Sequence, residues 1–247
     1  MIIALLIFLA FGSYLNSLAY RLLNLEQLHK ARSFCPSCKQ IIAWYDNIPV
    51  LSWIYLQAQC RSCKQTISWL YPFIEILTTL ALFLLWQKTP THYFPAYFLF
   101  FTALIITIRT DFDAMLISRF ATLYLIPLGL LAAAVHRLPI TPIASMAGAI
   151  FGYGLLWVTK KISFCMTEQE SLGQGDLELL AFIGTFTGPF GCWISLLVGS
   201  VLGTIFSLIY MAITQQKIRF IPFGAYLSFG AMTFVLWHNF FIQLYLS

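Results

Sequence analysis

Two short acidic segments next to apolar runs are the strongest candidates for chemistry in this chain. The first, Thr110–Asp113, carries Asp111 and Asp113, and the second, Gly173–Asp176, ends in Asp176. Ionisable groups in or beside membrane-spanning segments are costly, so they mark candidate functional sites. Two carboxyl groups that share a site do not ionise together easily, so one accepts a proton while the other donates one. Such a pair can activate water for attack on a peptide carbonyl.

The glycines before Asp176 are interpreted as a supporting loop. Gly173 and Gly175 present no side chain, so a substrate backbone could approach closely. Asp176 precedes an apolar helical run, where an N-cap position and the helix dipole favour its charge. An acid in that place often only caps its helix, and the Asp-Phe-Asp run could be a solvated loop. Periodicity does not decide between Asp111 and Asp113.

Four cysteines form a second chemical pattern. The pair Cys35 and Cys38 is followed by the pair Cys60 and Cys63, and each pair has CxxC spacing. Two such turns offer four thiolates for a tetrahedral site, which predicts a structural zinc ion. The alternatives are another thiophilic metal, disulfides or unrelated thiols, but disulfides rarely persist in the cytoplasm, where the charge distribution described below puts this segment. No role is assigned to Cys165 or Cys192.

Composition indicates whether the segments that position these acids and cysteines are surrounded by water or by lipid. The chain has 247 residues, of which 60% are hydrophobic and 9% charged, with a mean hydropathy of +0.82. Soluble domains carry about 25% charged residues. Membrane lipid is therefore the expected surroundings of most of the chain. The net charge of +5 is too small to favour a nucleic-acid partner.

Continuous apolar runs predict an all-α polytopic membrane protein with about eight transmembrane helices. The expected organisation is a first transmembrane helix at 1–22, a cytoplasmic zinc-binding loop at 23–70 and a seven-helix membrane domain at 71–247. The candidate spans are 2–22, 71–87, 93–109, 115–135, 141–159, 177–190, 192–213 and 222–245.

Basic residues predict the orientation. With eight spans and the N-terminus outside, 12 of the 14 Lys and Arg residues fall in inside loops. Lys88 and Arg137 are the exceptions, and the bias agrees with the positive-inside rule. All nine acidic residues lie at or near the same face. The first run lacks a basic n-region, so it is interpreted as a retained helix rather than a cleaved signal peptide.

Besides the tetracysteine segment and the GxGD motif, four further motifs occur along the chain: Gly12–Asn16 with Tyr20–Leu22, Asn47–Trp53, Ile67–Glu75, and Ile221–Gly224 with Gly230. In their order and positions these six motifs resemble those of the type IV prepilin peptidases, a family of GxGD-type membrane aspartic proteases.

The resemblance implies particular roles and partners. It implies that Asp111 and Asp176 are catalytic, that 71–247 is the peptidase domain and that 23–70 is methyltransferase-associated. Expected substrates are type IV prepilins or the pseudopilins of type II secretion. Their short basic leaders are cut at the cytoplasmic face of the bacterial inner membrane. The resemblance also implies N-methylation of the new terminus with S-adenosylmethionine. The oligomeric state stays open.

The chain departs from the family pattern at several positions. Ile117-Ser118-Arg119 stands where the family has LPD, and Glu178 replaces the usual Lys after GxGD. Lys39 and Lys64 replace the glycines that often follow zinc knuckles. The intact pair of acids supports peptidase activity more directly than methylation.

Two residues of the first half, Asn16 and Glu75, have two interpretations each. Asn16 lies with Gly12 on one helical face and suits helix packing, but Asn16 and Arg21 could instead line a methyl-donor site. Glu75 could be an ion-pair partner or a substrate contact.

Three other functions remain open from the sequence alone. A proton-relaying transporter predicts acids at mid-span and inverted repeats, and neither is visible. A non-catalytic membrane scaffold with a zinc docking loop would tolerate loss of Asp111 or Asp176. A GxGD protease with other membrane substrates would keep both acids.

Overall fold

A computed structural model describes residues 1–24, 33–168, 172–215 and 221–246. The regular elements in these ranges are helices, apart from two isolated β-bridges, so the predicted all-α fold class is confirmed. Short 3-10 helices occur at Trp44–Asn47 and Leu123–Leu125. The α-helices are α1 Ile2–Leu23, α2 Leu51–Tyr55, α3 Leu70–Lys88, α4 Phe94–Ala114, α5 Ile126–Ala134, α6 Pro142–Thr167, α7 Gln174–Thr214, α8 Phe223–Leu236 and α9 His238–Leu246.

Five of these helices are long and apolar enough to cross a membrane, and the protein is a multi-pass membrane protein. The pair Phe223–Leu236 and His238–Leu244 is bent by 84° and would make a sixth span if counted as one. The predicted total of about eight therefore stays a prediction. The five are α1, α3, α4, α6 and α7.

Helix α7 reverses direction at Gly188-Pro189. Gly188 has φ 72° and ψ 179°, which interrupts the helix. Leu180 and Cys192 would be about 18 Å apart along a straight helix, yet the Cys192 Sγ lies 3.8 Å from the Leu180 carbonyl oxygen. The two arms, 174–187 and 189–214, therefore fold back on each other. They correspond to the sixth and seventh candidate spans.

The fourth candidate span, 115–135, is only partly helical. Met115 adopts a left-handed conformation with φ 53° and ends α4. Residues 116–122 then form a connecting segment, and helical structure runs only from Leu123 to Ala134. Twelve residues of helix reach about 18 Å, short of the ~30 Å hydrocarbon core. The apolar residues at the start of this run therefore belong to a loop and not to a membrane-spanning helix.

The chain separates into two compact units, Met1–Gln87 and Lys88–Ser247. In the first unit, α1 packs closely on α3. A Cβ added at Gly12 would lie 2.9 Å from the Cα of Glu75, and the Asn16 side-chain amide donates to the Tyr71 carbonyl at 3.0 Å. These contacts agree with the helix-packing interpretation of Gly12 and Asn16.

In the second unit, α4 packs against the first arm of α7 through buried phenylalanines. The rings of Phe100 and Phe186 stack with centroids 4.7 Å apart, and Phe182 lies 5.3 Å from Phe100. Asp111 is 11 residues beyond Phe100, and Asp176 is 10 residues before Phe186. Both intervals correspond to about 15–17 Å of helix. This packing therefore sets the two acids at the same end of the unit.

Glycines bring α6 and the first arm of α7 into backbone contact. A Cβ added at Gly148 would clash with the carbonyl oxygen of Gly184, and one added at Gly184 would clash with that of Gly148. Small residues of this kind allow close helix approach in membranes. The contact holds in place the helix that carries Asp176.

We expect Gly148→Ala to destabilise the second unit because the methyl group must push two helices apart. Overpacking of this kind costs about 1–3 kcal/mol, and each kcal/mol lowers Tm by roughly 2–4 °C in a chain of this size. Thermal unfolding of the detergent-solubilised protein measures the change. The matched control is Gly154→Ala on the same helix, where an added Cβ meets nothing within 4 Å. An equal loss of Tm in both variants would contradict this account.

Candidate active site and metal centre

Asp111 lies in the last turn of α4 and is buried, with 5% of its surface exposed. Its Oδ2 accepts a hydrogen bond from the backbone N–H of Ala225 at 2.8 Å. This donor belongs to the first turn of α8, where N–H groups have no partner within the helix. A helix N-terminus favours a negative charge. Asp111 is therefore not a solvated loop residue.

Asp176 lies in the first turn of α7, two residues inside the helix that Gln174 begins. Gly173 is the N-cap residue, so the N-cap position predicted for Asp176 is displaced by three residues. Asp176 is thus the third residue of the helix, the position from which the acid of a capping box lies near the N-cap backbone. A Cβ at Gly173 would lie 3.2 Å from the Asp176 Oδ2. Glycine there keeps the carboxylate uncrowded.

Ile117 connects the two helix starts that hold these acids. A Cβ added at Gly175 would lie 2.9 Å from the Cβ of Ile117, and one added at Gly224 would lie 2.6 Å from its Cδ1. The starts of α7 and α8 are therefore separated by little more than one side chain. The two carboxylates lie near enough for the charge of Asp111 to act on Asp176. The structure thus brings together Asp111, Asp176, Gly173 and Gly175.

Asp113 is placed differently from Asp111. It is partly exposed, and its Oδ2 lies 3.0 Å from the Arg109 Nη1 in an i,i+4 ion pair on α4. The structure therefore distinguishes Asp111 from Asp113, which the sequence pattern did not.

Gly224 and Ala225 are site residues that pattern reasoning left without a role. The resemblance included the Ile-Pro-Phe-Gly motif but gave it no chemistry. The available signal was Pro222 and Gly224 at the start of an apolar helix, because a helix start supplies free N–H groups.

The four cysteines of the first unit form one cluster. Their sulfur atoms all lie within 4.8 Å of one another, and Cys35 Sγ and Cys63 Sγ are 3.8 Å apart. Tetrahedral coordination at about 2.3 Å requires sulfur separations of about 3.8 Å. None of the cysteines in the chain is in a disulfide. The cluster could hold a metal ion with the geometry that zinc prefers.

The two knuckles repeat the same backbone pattern. The N–H groups of Lys39 and Lys64 donate to the carbonyls of Cys35 and Cys60 at 2.9 Å and 3.0 Å. Lys39 and Lys64 have φ angles of 61° and 58°, in the left-handed region that favours glycine. The missing glycines therefore leave the knuckle conformation unchanged, at a cost of about 1–2 kcal/mol per residue.

An ion pair joins the second knuckle to the helical insert between the knuckles. The Arg61 guanidinium donates two hydrogen bonds to Asp46, from Nε at 2.7 Å and Nη2 at 2.6 Å. These hydrogen bonds lower the pKa of Asp46. The Arg61 guanidinium also lies 5.6 Å from the centroid of the Tyr45 ring. The pair helps to fix the insert against the cysteine cluster.

Glu75 anchors the cysteine-bearing segment to α3. It is buried, and its Oε2 accepts a hydrogen bond from the Val50 N–H at 2.7 Å. Val50 has φ 61°, a conformation that is rare for a β-branched residue. Among the described residues Glu75 forms no ion pair, and its carboxylate is held by the Val50 N–H.

These features define a class of protein: a multi-pass helical membrane protein with two neighbouring aspartates at adjoining helix starts and a separate tetracysteine module. Residues 6–89 match the model of the bacterial peptidase A24 N-terminal domain, and residues 98–208 match that of the type IV leader peptidase family. The chain belongs to the type IV leader peptidase family and is a peptidase.

Curated relatives cover most of the chain. It is 32% identical over 97% of its length to a prepilin leader peptidase/N-methyltransferase of Legionella pneumophila, 92% of which is covered. It is 32% identical over 81% of its length to a type 4 prepilin-like proteins leader peptide-processing enzyme of Escherichia coli, 74% of which is covered. A prepilin leader peptidase/N-methyltransferase of Pseudomonas aeruginosa is 30% identical over 87% of the chain. No solved structure matches the chain.

Proposed function

We propose that this protein removes the short basic leader of type IV prepilins, or of type II secretion pseudopilins, with Asp111 and Asp176 as its catalytic pair. The observation that carries the proposal is the convergence of the buried Asp111 carboxylate and the half-buried Asp176 carboxylate on adjoining helix starts within one compact unit. The names of the relatives supply the class of substrate. The basic residues of the predicted inside loops support an active site that faces the cytoplasm, with the N-terminus in the periplasm of a bacterial inner membrane.

The hydrogen bonds suggest how the two acids divide the work. Asp111 accepts the Ala225 N–H at the start of α8, which suits an ionised base that takes a proton from water. Asp176 lies beside the charge of Asp111, which suits a protonated acid. Water oxygen attacks the peptide carbonyl while Asp176 donates to the carbonyl oxygen. When the C–N bond breaks, the proton held by Asp111 passes to the leaving nitrogen.

The cysteine module is proposed to bind one structural zinc ion. Cys35, Cys38, Cys60 and Cys63 would supply all four ligands, so no coordination position is left for a substrate. The ion would stabilise a segment that is too small to have a core of its own. We further propose that the protein methylates the new N-terminus with S-adenosylmethionine. That activity is supported by the names of the relatives, and we assign no residue of this chain to the methyl donor.

The proposal is tested with the full-length protein in detergent and a prepilin from its own organism. Mass spectrometry of both products, with and without S-adenosylmethionine, is expected to show release of the leader and an added methyl mass on the mature pilin. Cleavage without the methyl mass would restrict the activity to the peptidase. A folded, monodisperse protein that cleaves no pilin-like substrate would favour the scaffold or a protease with other substrates.

A further inference from the structure

The segment after α4, residues 115–122, contacts the start of α7 at two successive points. The first is Ile117, which occupies the space left by Gly175 and Gly224. The second is Arg119, whose Nε lies 3.3 Å from the Glu178 Oε2. Asp111 precedes this segment by four residues, and Asp176 precedes Glu178 by two. The segment that follows Asp111 is therefore in contact with α7, the helix that carries Asp176.

The Arg119–Glu178 pair is asymmetric in its burial. The Glu178 side chain is 7% exposed, whereas that of Arg119 is 62% exposed. A buried carboxylate is costly unless a cation or hydrogen-bond donors compensate it. Removal of the arginine would leave that charge buried two residues from Asp176 of the proposed catalytic pair. The pair thus matters more to the site than a surface ion pair would.

Arg119 and Glu178 also occupy two of the positions at which the chain departs from the motifs it resembles. The LPD motif has an acid at the position of Arg119, and GxGDxK has a base at the position of Glu178. Both signs are reversed in this chain, and the structure places the two positions in contact. In this chain the two positions carry opposite charges, and the ion pair between them is what the structure shows.

We propose that Arg119 and Glu178 are positioning residues, which act as a charge-reversed pair to fix the segment 115–122 and thereby the relative placement of Asp111 and Asp176. The inference rests on the proposed peptidase function. Neither residue is assigned a contact with the substrate. Their effect on catalysis passes through the geometry of the two acids.

The test compares wild type with Arg119→Asp, with Glu178→Lys and with the double variant, all as full-length protein. Leader release from a prepilin gives kcat and KM. Each single reversal is expected to lower kcat by about 10–100-fold, since displacement of a catalytic group by ~1 Å can cost ~10²-fold. The double variant is expected to return to within a few-fold of wild type, because it restores opposite charges at contacting positions.

Lys161→Asp is the matched control for net charge. Lys161 is exposed at the same predicted face, and its replacement changes the net charge as much as Arg119→Asp does. It is expected to leave kcat within a few-fold of wild type. The neutral variants Arg119→Gln and Glu178→Gln provide milder tests if a reversed variant does not fold.

Tm values of the four proteins form a second double-mutant cycle that needs no activity. Single variants with wild-type kcat, or a double variant no better than its parents, would overturn the proposal. If wild type cleaves no prepilin while the Tm cycle shows coupling, the peptidase proposal fails and the contact stands. Absence of coupling in Tm would overturn the contact itself.

Discussion

Asp111→Asn and Asp176→Asn are each expected to lower the rate of leader release by about 10²–10⁴-fold, the usual contribution of general acid–base catalysis. An amide neither takes a proton from water nor donates one as a carboxylic acid does. In Asp111→Asn the amide oxygen can still accept the N–H of Ala225, which lies 2.8 Å from the native carboxylate. Folding should therefore survive while activity does not. Mass spectrometry of the products measures the rate, and Tm checks the fold.

Asp113→Asn is the matched control for this prediction. It is the same substitution two residues along the chain, at an acid paired with Arg109 and partly exposed. We expect its activity to remain within a few-fold of wild type. A loss as large as that of Asp111→Asn would show that the first catalytic acid has been misassigned. Undiminished cleavage in either catalytic variant would exclude the proposed pair.

Helices whose apolar runs are long and uninterrupted could be located from the sequence alone. The first two candidate spans, 2–22 and 71–87, agree within one residue at each end with Ile2–Leu23 and Leu70–Lys88. The third candidate span, 93–109, ends before the polar run Thr110–Asp113. Tertiary structure extends α4 to Ala114, since the start of α8 supplies the N–H group that makes burial of Asp111 tolerable. Local propensity contains no such information.

Contacts that depend on distant parts of the chain could not be read from any local pattern. Ala225 lies 114 residues from Asp111, and no sequence pattern near either residue predicts the hydrogen bond between them. Gly175 looked like room for a substrate, whereas the structure fills the adjoining space with Ile117. In the sequence, Glu178 is a departure from the family pattern with no visible partner, and only the fold places Arg119 beside it. Only for the cysteines did sequence spacing predict the arrangement of the site. Each CxxC pair places two thiolates on one tight turn, and a tetrahedral metal site takes two such pairs.

The separation of the chain into two units leads to a prediction about the metal. In Cys35→Ser/Cys60→Ser one thiolate is removed from each knuckle, and zinc content is expected to fall from about one ion per chain to none, since structural sites need four ligands. Structural zinc contributes about 10–16 kcal/mol to the folding of small zinc modules. The segment 33–69 should therefore become sensitive to protease. Elemental mass spectrometry and limited proteolysis measure the two effects.

Leader cleavage is expected to survive this loss within a few-fold, while methylation is expected to disappear. The reason is that every contact described for Asp111 and Asp176 lies within Lys88–Ser247, and the cysteines belong to Met1–Gln87. The matched control is Cys165→Ser, which changes an exposed cysteine outside the cluster and should retain the metal. Retention of zinc by the double variant would refute the four-cysteine site. Loss of cleavage together with zinc would mean that the module is needed by the aspartates as well, so that the two units act as one enzyme.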